Sequence, residues 1–377
     1  MSLEQLTATF VDTILPTWAI SAYDEPRGQF VEYLELDGRP QRDGLVRTRT
    51  VARQIYVHAH ASVLGVAPAA SLDIAETAFA NMHLMAWIGG KRSGYARAFD
   101  RMTGDLTDPT RDLYDNACVL LALSWLLKAT GKNIYRRRID ATIAAIDDTL
   151  RDPFGGWAED SNGTLPRRQN PHMHYLEATL ALCENNRTPA HLRTEKTIFS
   201  LLRSHFFVGP HGPLHEHFGP RWEIADKFGS ATLEPGHMCE WIWLIGRHDA
   251  LNHSAHAQLS SDLLTSALSM GRASGSPFLF DLASAKGEPL AASKRLWPQV
   301  EMLKALLTLA GDLEGKRYQA DAETLARQML ATYFQDVPPG CWHDRLDLGD
   351  KPIGTNIPAS SLYHLWTAVA ELLPQTP

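Results

Sequence analysis

Apolar residues fall at helical spacing along most of this chain, and in five segments they run almost all the way round. Residues 113–128 (LYDNACVLLALSWLLK) show this most strongly. Residues 175–183 (YLEATLALC), 239–245 (CEWIWLI), 300–310 (VEMLKALLTLA) and 362–373 (LYHLWTAVAELL) behave alike. A helix apolar on all sides has no face for water, so these segments are predicted to be buried helices. Between them, residues 142–150 and 194–202 are apolar on one side only and predict outer helices. No segment alternates convincingly with period two, so strands are not expected.

A slower rhythm is superimposed. Gly/aromatic or Pro/aromatic punctuation recurs as GGKRSGY (89–95), FGGW (154–157), GPLHEHF (212–218), SGSPFLF (274–280) and GCWHDRLD (340–347), with a weaker relative, RGQFVEYLELDG, at 27–38. The spacing is roughly 60 residues, enough for two helices and a turn-rich connection. Six such units predict an all-α fold, an (α/α)6 barrel of about twelve helices closed into a ring. The alternative is a large irregular helical bundle. No Pro/Ser linker or shift of composition divides the chain, so residues 1–377 are expected to form one catalytic domain. In such a ring the loops at one end would line a pocket.

Composition narrows the partners. Of the 377 residues 44% are hydrophobic and 21% charged, which argues against extensive disorder. Thirty-six Lys and Arg against 43 Asp and Glu leave a formal charge of −7, which argues against nucleic acid or an anionic membrane as partner. The four cysteines are scattered, without a CxxC pair, so neither a disulfide framework nor a zinc ribbon is expected. The N-terminus lacks the features of a signal peptide, and the longest apolar run (117–127) is too short to span a bilayer. A cytoplasmic location is the expectation, with self-association into a homo-oligomer left open.

Sixteen histidines are many for this length, and several cluster in QNPHMHYLEA (His172, His174), LHEHF (His215, His217), EPGHMCEW (His237) and PASSLYHLW (His364). If a helix begins near Pro235, His237 and Glu240 share a face, and a carboxylate beside an imidazole fixes its tautomer and raises its basicity. Asn170 and His174 are four apart, as are Trp297 and Glu301; an aromatic plane with an acceptor beside it suits a sugar ring. Arg49 and Arg53 precede Tyr56 on an otherwise apolar helix, where a charge needs a pocket or a partner. Taken singly, each of these features has an ordinary structural reading. No phosphate-binding loop, GxGxxG or GxSxG is present. No compact set of metal ligands is apparent, so neither a metal nor another cofactor is expected.

In order along the chain, ARQIYV, LYDNACVLLAL, NPHMHYLEA, EPGHMCEW, RLWPQVE and PASSLYH resemble the N-acylglucosamine 2-epimerase superfamily, from Arg53 to His364. Metal-independent sugar isomerases belong to that superfamily, and the short loops and PASSLYHLW are most like its D-mannose isomerase branch. The resemblance implies the (α/α)6 barrel and two catalytic histidines, His237 and His364. It implies substrate contacts from Arg53, Tyr114, Asn170, His174, Glu240, Trp297 and Glu301, with Gln299 in the same motif; Trp222 and Trp342 are candidates for further walls. The implied partner is a monosaccharide, and the implied activity is interconversion of D-mannose and D-fructose, with D-lyxose and D-xylulose a related pair, by histidine acid/base chemistry through an enediolate. Three alternatives stand beside it: 2-epimerisation of a sugar, glycoside hydrolysis by Glu240 and Glu301, and a binding-only role. Epimerisation would take mannose/glucose, N-acylglucosamine/N-acylmannosamine or cellobiose-type substrates.

Overall fold

The computed structural model describes residues 2–207, 209–311 and 315–374. Among them are twelve helices. The first six are α1 (residues 2–21, with a π-helical stretch at Phe10–Ile14), α2 (Thr48–Val63), α3 (Ser71–Ala86), α4 (Leu113–Thr130), α5 (Asn133–Leu150) and α6 (Gln169–Asn186). Then follow α7 (Pro189–Leu201), α8 (Pro235–Asn252), α9 (Ala257–Met270), α10 (Leu296–Leu309), α11 (Gly315–Thr332) and α12 (Ala359–Leu372).

The even-numbered helices are the all-round apolar ones, and they are inner. In α4 every residue from Leu113 to Leu127 except Tyr114 is buried. The odd-numbered helices bury one stripe, as in α11 with Ala322, Leu325, Ala326 and Met329, the spacing of an amphipathic outer helix. Each inner helix packs on the next inner helix, and α12 packs back on α2. Each outer helix packs on its inner neighbour, α1 covering α12.

The expectation that strands are absent is corrected. Every inner helix is entered from a short strand: Leu45–Arg47, Leu106–Arg111, Arg167–Arg168, Thr232–Leu233, Lys294–Arg295 and Asn356–Pro358. At each entry the chain pairs antiparallel with a segment from the loop of the following unit. Leu45–Arg47 pairs with Gly94–Asp100, Asp112 bridges to Asp160, and Arg167–Arg168 pairs with His217–Phe218. Thr232–Leu233 pairs with Ala283–Ser284 and Lys294–Arg295 with Arg345–Leu346. The last strand, Asn356–Pro358, returns to Tyr33–Glu35 in the first loop. Most of these strands have two or three residues, too few to show an alternation in sequence. The Gly/aromatic punctuation is the turn chemistry of these loops.

Inner helices approach closely where side chains are small. A Cβ on Gly236, in the first turn of α8, would lie 2.6 and 2.7 Å from ring atoms of Trp297 on α10. Trp297 is itself lodged between His237 and His364, with ring centroids 5.1 and 5.3 Å away, so it has little room to yield. Helix propensity alone would make Gly236→Ala stabilising by up to about 1 kcal/mol. Overpacking costs about 1–3 kcal/mol and should win. Chemical denaturation is expected to show a net loss of stability, whereas an increase would mean that the Trp297 contact is slack.

Candidate active site

All six inner helices present their N-terminal ends to one cavity of about 170 Å3. That is smaller than the roughly 300–1,000 Å3 of drug-sized sites, and its lining is polar and charged. Among the lining residues are Arg49, Thr50 and Arg53 from α2, Tyr114 from α4, and Asn170 and His174 from α6. His237 and Glu240 come from α8, Trp297 from α10, and Ser360 and His364 from α12. The pairs three or four apart in sequence place successive side chains on the axial face of each helix. Six N-termini also direct the positive ends of six helix dipoles toward the cavity, an arrangement that favours developing negative charge. A larger groove of about 650 Å3 lies outside the ring between α9 and α11, but it carries no convergence of histidines and carboxylates.

Eight of the ten candidate residues line this cavity; Gln299 and Glu301 do not. Gln299 holds the backbone of the preceding loop: Leu279 N–H donates to Oε1 (2.7 Å), and Nε2 donates to the carbonyls of Leu279 and Arg295, both at 2.9 Å. Glu301 stands behind His364 and accepts from its Nδ1 at 2.6 Å. Trp222 and Trp342 are also absent from the lining. Arg167 lies over the Trp222 ring at 3.6 Å, and Trp342 stacks on Trp18 at 5.1 Å.

The two expected catalytic histidines differ in surroundings. His364 donates Nδ1–H to Glu301, because a carboxylate can only accept, which leaves Nε2 for the cavity. Burial, helped by the charges of Arg53 and Lys304, holds His364 well below the usual histidine range. His237 donates Nδ1–H to Glu216 Oε2 at 3.0 Å, and Glu234 lies 3.9 Å from its Nε2. Burial opposes its charge, but Glu216 and Glu234 outweigh that and raise it to about 9. Asn170 Nδ2 lies 2.7 Å from Nε2 while its Oδ1 has no partner. Turned over, the amide would give Nε2–H an acceptor, as a doubly protonated ring requires. The expectation that Glu240 orients His237 is therefore corrected, because Glu216 holds that nitrogen.

Arg53 spans the floor. Its Nη2 donates to Tyr114 Oη at 2.9 Å and to His174 Nε2 at 3.2 Å, and its guanidinium lies 4.2 Å from the Tyr363 ring centre. His174 donates Nδ1–H to Glu177 (3.1 Å), which also accepts from the Tyr363 hydroxyl. Burial works against the Glu177 charge, but the bonds from His174 and Tyr363 bring it down to about 2. Arg49 is occupied by Asp115, 3.3 Å away. The Glu240 carboxylate is 1% exposed with neither oxygen hydrogen-bonded, and burial with the Glu301 charge raises it to about 7.

Sequence spacing showed no compact ligand set, and the fold corrects this. Besides His248–Asp249–His256 away from the cavity, three groups among the described residues bring donor atoms within 4.8 Å beside it: His174–Glu177–Glu240, Glu216–Glu234–His237 and Glu240–Glu301–His364. In the last, the Lys304 ammonium is 2.8 Å from Glu301, a cation already in place beside the carboxylate. Glu177, Glu216, Glu234, Tyr363 and Lys304 were not among the sequence candidates. Four of them sit inside or beside quoted motifs, and Lys304 is one turn beyond Glu301.

The model of the N-acylglucosamine 2-epimerase (GlcNAc 2-epimerase) family matches residues 28–368. A protein of Rhizobium meliloti (strain 1021) called mannose-6-phosphate isomerase is 31% identical over 385 residues, 98% of this chain and 96% of its own. Among solved structures, a D-mannose isomerase superposes with a TM-score of 0.87 at 20% identity, over 98% of this chain and 97% of its own. Cellobiose 2-epimerase from Bacillus thermoamylovorans B4167 gives 0.85 at 17%, over 98% of both chains. At such identities the structures speak for the fold, and the family match carries the assignment: this chain belongs to the N-acylglucosamine 2-epimerase family.

Proposed function

We propose that the protein is an aldose–ketose isomerase acting on a small neutral sugar, with D-mannose and D-fructose as the leading pair and D-lyxose with D-xylulose as a related one. We read the ring as the (α/α)6 barrel of that chemistry. The observation that carries the reading is the pair of unlike imidazoles flanking Trp297, one neutral and one inclined to stay protonated, in a cavity that also holds Arg53.

In the open-chain aldose the C1 carbonyl acidifies the C2 hydrogen. His364 Nε2 takes that proton, the C2–H electrons form the C1–C2 double bond, and O1 becomes the oxyanion. Arg53 offers charge-assisted hydrogen bonds to it in a water-poor site. Return of the carbon-bound proton to C1, with the O2 proton passing to O1, gives the ketose. When the cyclic sugar opens, His237, as an imidazolium, gives a proton to the ring oxygen O5 as the C1–O5 bond breaks, and takes back the O1 hydroxyl proton as the C1 carbonyl forms, so it ends the step protonated as it began. Each step uses groups of the chain and requires no metal.

Two neighbouring readings are weighed by particular residues. The rhizobial relative's name points to a phosphorylated sugar, and Arg47, Arg49 and Arg295 line the mouth. Each already faces a carboxylate: Glu32, Asp115 and Asp281 respectively. That favours a neutral ligand. Hydrolysis would need two carboxylates about the scissile bond, and Glu301 is shielded behind His364. C2 epimerisation remains the second reading, because a base on the opposite face of the enediolate would return the proton to C2.

Incubation with D-mannose and with mannose 6-phosphate, resolving ketose from epimer by chromatography, is expected to give fructose from the free sugar. Glucose as the main product would make this a 2-epimerase, and turnover of the phosphate alone would reassign the mouth arginines. His364→Ala and His237→Ala should each lower kcat by about 10²–10⁴ with unchanged circular dichroism. Arg53→Ala should lower it by about 10²–10³. Near-normal kinetics would remove the residue concerned from the mechanism. The pH profile follows from the two shifts. His237 keeps its proton through neutrality and loses it as pH rises through about 9, so kcat/KM should fall on the alkaline side there. A fall centred near 6.5 would show an unperturbed histidine instead.

A further inference from the structure

Lys304 is fully buried on α10, one turn beyond Glu301. Its ammonium lies 2.8 Å from Glu301 Oε2 and 3.7 Å from the centre of the Trp243 ring on α8. The other oxygen of Glu301 accepts from His364 Nδ1. Ammonium, carboxylate and imidazole thus form a line ending at the cavity. A fully buried lysine is rarely kept unless it is paired. His237 has no such third member: its Glu216 and Glu234 face it without a cation paired to either within 4.0 Å among the described residues.

We infer that Lys304 is a positioning residue for the proposed reaction. Its ammonium holds Glu301 as a carboxylate that accepts the Nδ1 proton, and its charge offsets that carboxylate's pull on a second proton, so His364 stays neutral with its Nε2 lone pair toward the substrate. The inference rests on His364 being the base of the cavity. Burial works against the charge on Glu301 and Lys304 is the first of the groups that oppose it, so removing the ammonium removes the main support of the carboxylate. Without the ammonium the Glu301–His364 pair would take up a further proton at higher pH. A proton on Glu301 turns that group into a donor and displaces the imidazole proton to Nε2; one on the imidazole occupies Nε2 directly. Either way the base is lost, and the pair titrates as a unit. The other groups facing His364 are Arg53 on α2, Glu177 on α6, and His237 and Glu240 on α8. Lys304 also favours the charged forms of Glu177 and Glu240, so the decisive readout is which nitrogen of His364 carries the proton.

The test is Lys304→Met, which keeps length and apolar bulk. The acidic limb of kcat/KM should move alkaline by about one unit, with kcat at neutral pH falling about tenfold or more and KM little changed. An unmoved limb, or a loss equal at every pH, overturns the inference. An independent readout is the 15N spectrum of His364, identified by its disappearance in His364→Gln. Wild type should show a neutral Nδ1–H ring at pH 7, and Lys304→Met an imidazolium or an Nε2–H ring. Retention of the Nδ1–H form in the variant overturns the proposal. So does any other form in wild type, a measurement that remains if the variant fails to fold. The spectrum needs no substrate, so an error in the assigned sugar would leave it unchanged.

Discussion

A charge removed from water must be met by a partner, and the axis of this ring brings at least seven ionisable groups together where little water reaches. Arg53, His174, Glu177, Glu240, Glu301, Lys304 and His364 are all nearly or wholly buried. An isolated ion in such a place is heavily penalised, whereas a connected set of charge-assisted bonds is not. The connections run between helices: Arg53 of α2 to His174 of α6, Glu177 of α6 to Tyr363 of α12, His364 of α12 to Glu301 of α10. The network therefore also fixes how the inner helices face one another, so the chemistry of the cavity and the register of the ring are one constraint.

That constraint makes the two histidines unlike although both are buried imidazoles next to glutamate. A carboxylate beside a buried imidazole pulls a proton onto it. Where two carboxylates face the ring, as at His237, the pull exceeds desolvation. Where the carboxylate is already paired with an ammonium and a guanidinium lies nearby, as at His364, desolvation prevails. Environments that push like groups apart are how one site holds an acid and a base at the same pH.

Much of this was legible from sequence because the inner helices are apolar on all sides, and the few polar residues in them had to serve some purpose. Arg53, Tyr114, Asn170, His174, His237, Glu240, Trp297 and His364, brought together by the family resemblance and only in part by helical spacing, all line the cavity. What was not legible depends on contacts across the ring. Glu216 and Glu234 reach His237 from the loop before α8, and sequence spacing pointed instead to Glu240, which shares its helix. Glu301 and Gln299 share a helix with Trp297, yet one faces His364 from behind and the other binds a loop. The strands escaped notice because their two or three residues are fixed by the neighbouring loop rather than by a pattern of their own.

Glu240 shows what the network leaves open. Most other buried charges along the axis are hydrogen-bonded through at least one atom or sit in a close ion pair, but both oxygens of this carboxylate lack a hydrogen bond at 1% exposure, with His174 Nδ1 3.8 Å away. A buried acceptor without a donor costs about 1–3 kcal/mol, and more when charged. Held near 7, the group accepts or donates according to what meets it. A polyhydroxylated ligand offers both kinds of partner at once; an apolar one offers neither and would seal the deficit in. The empty valences of Glu240 therefore select for a sugar more strongly than the volume of the cavity does. Because Glu240 lies between His174 and the Glu301–His364 pair, a hydroxyl bound there also sets the distance from the neighbouring carbon to the imidazole that would take its proton.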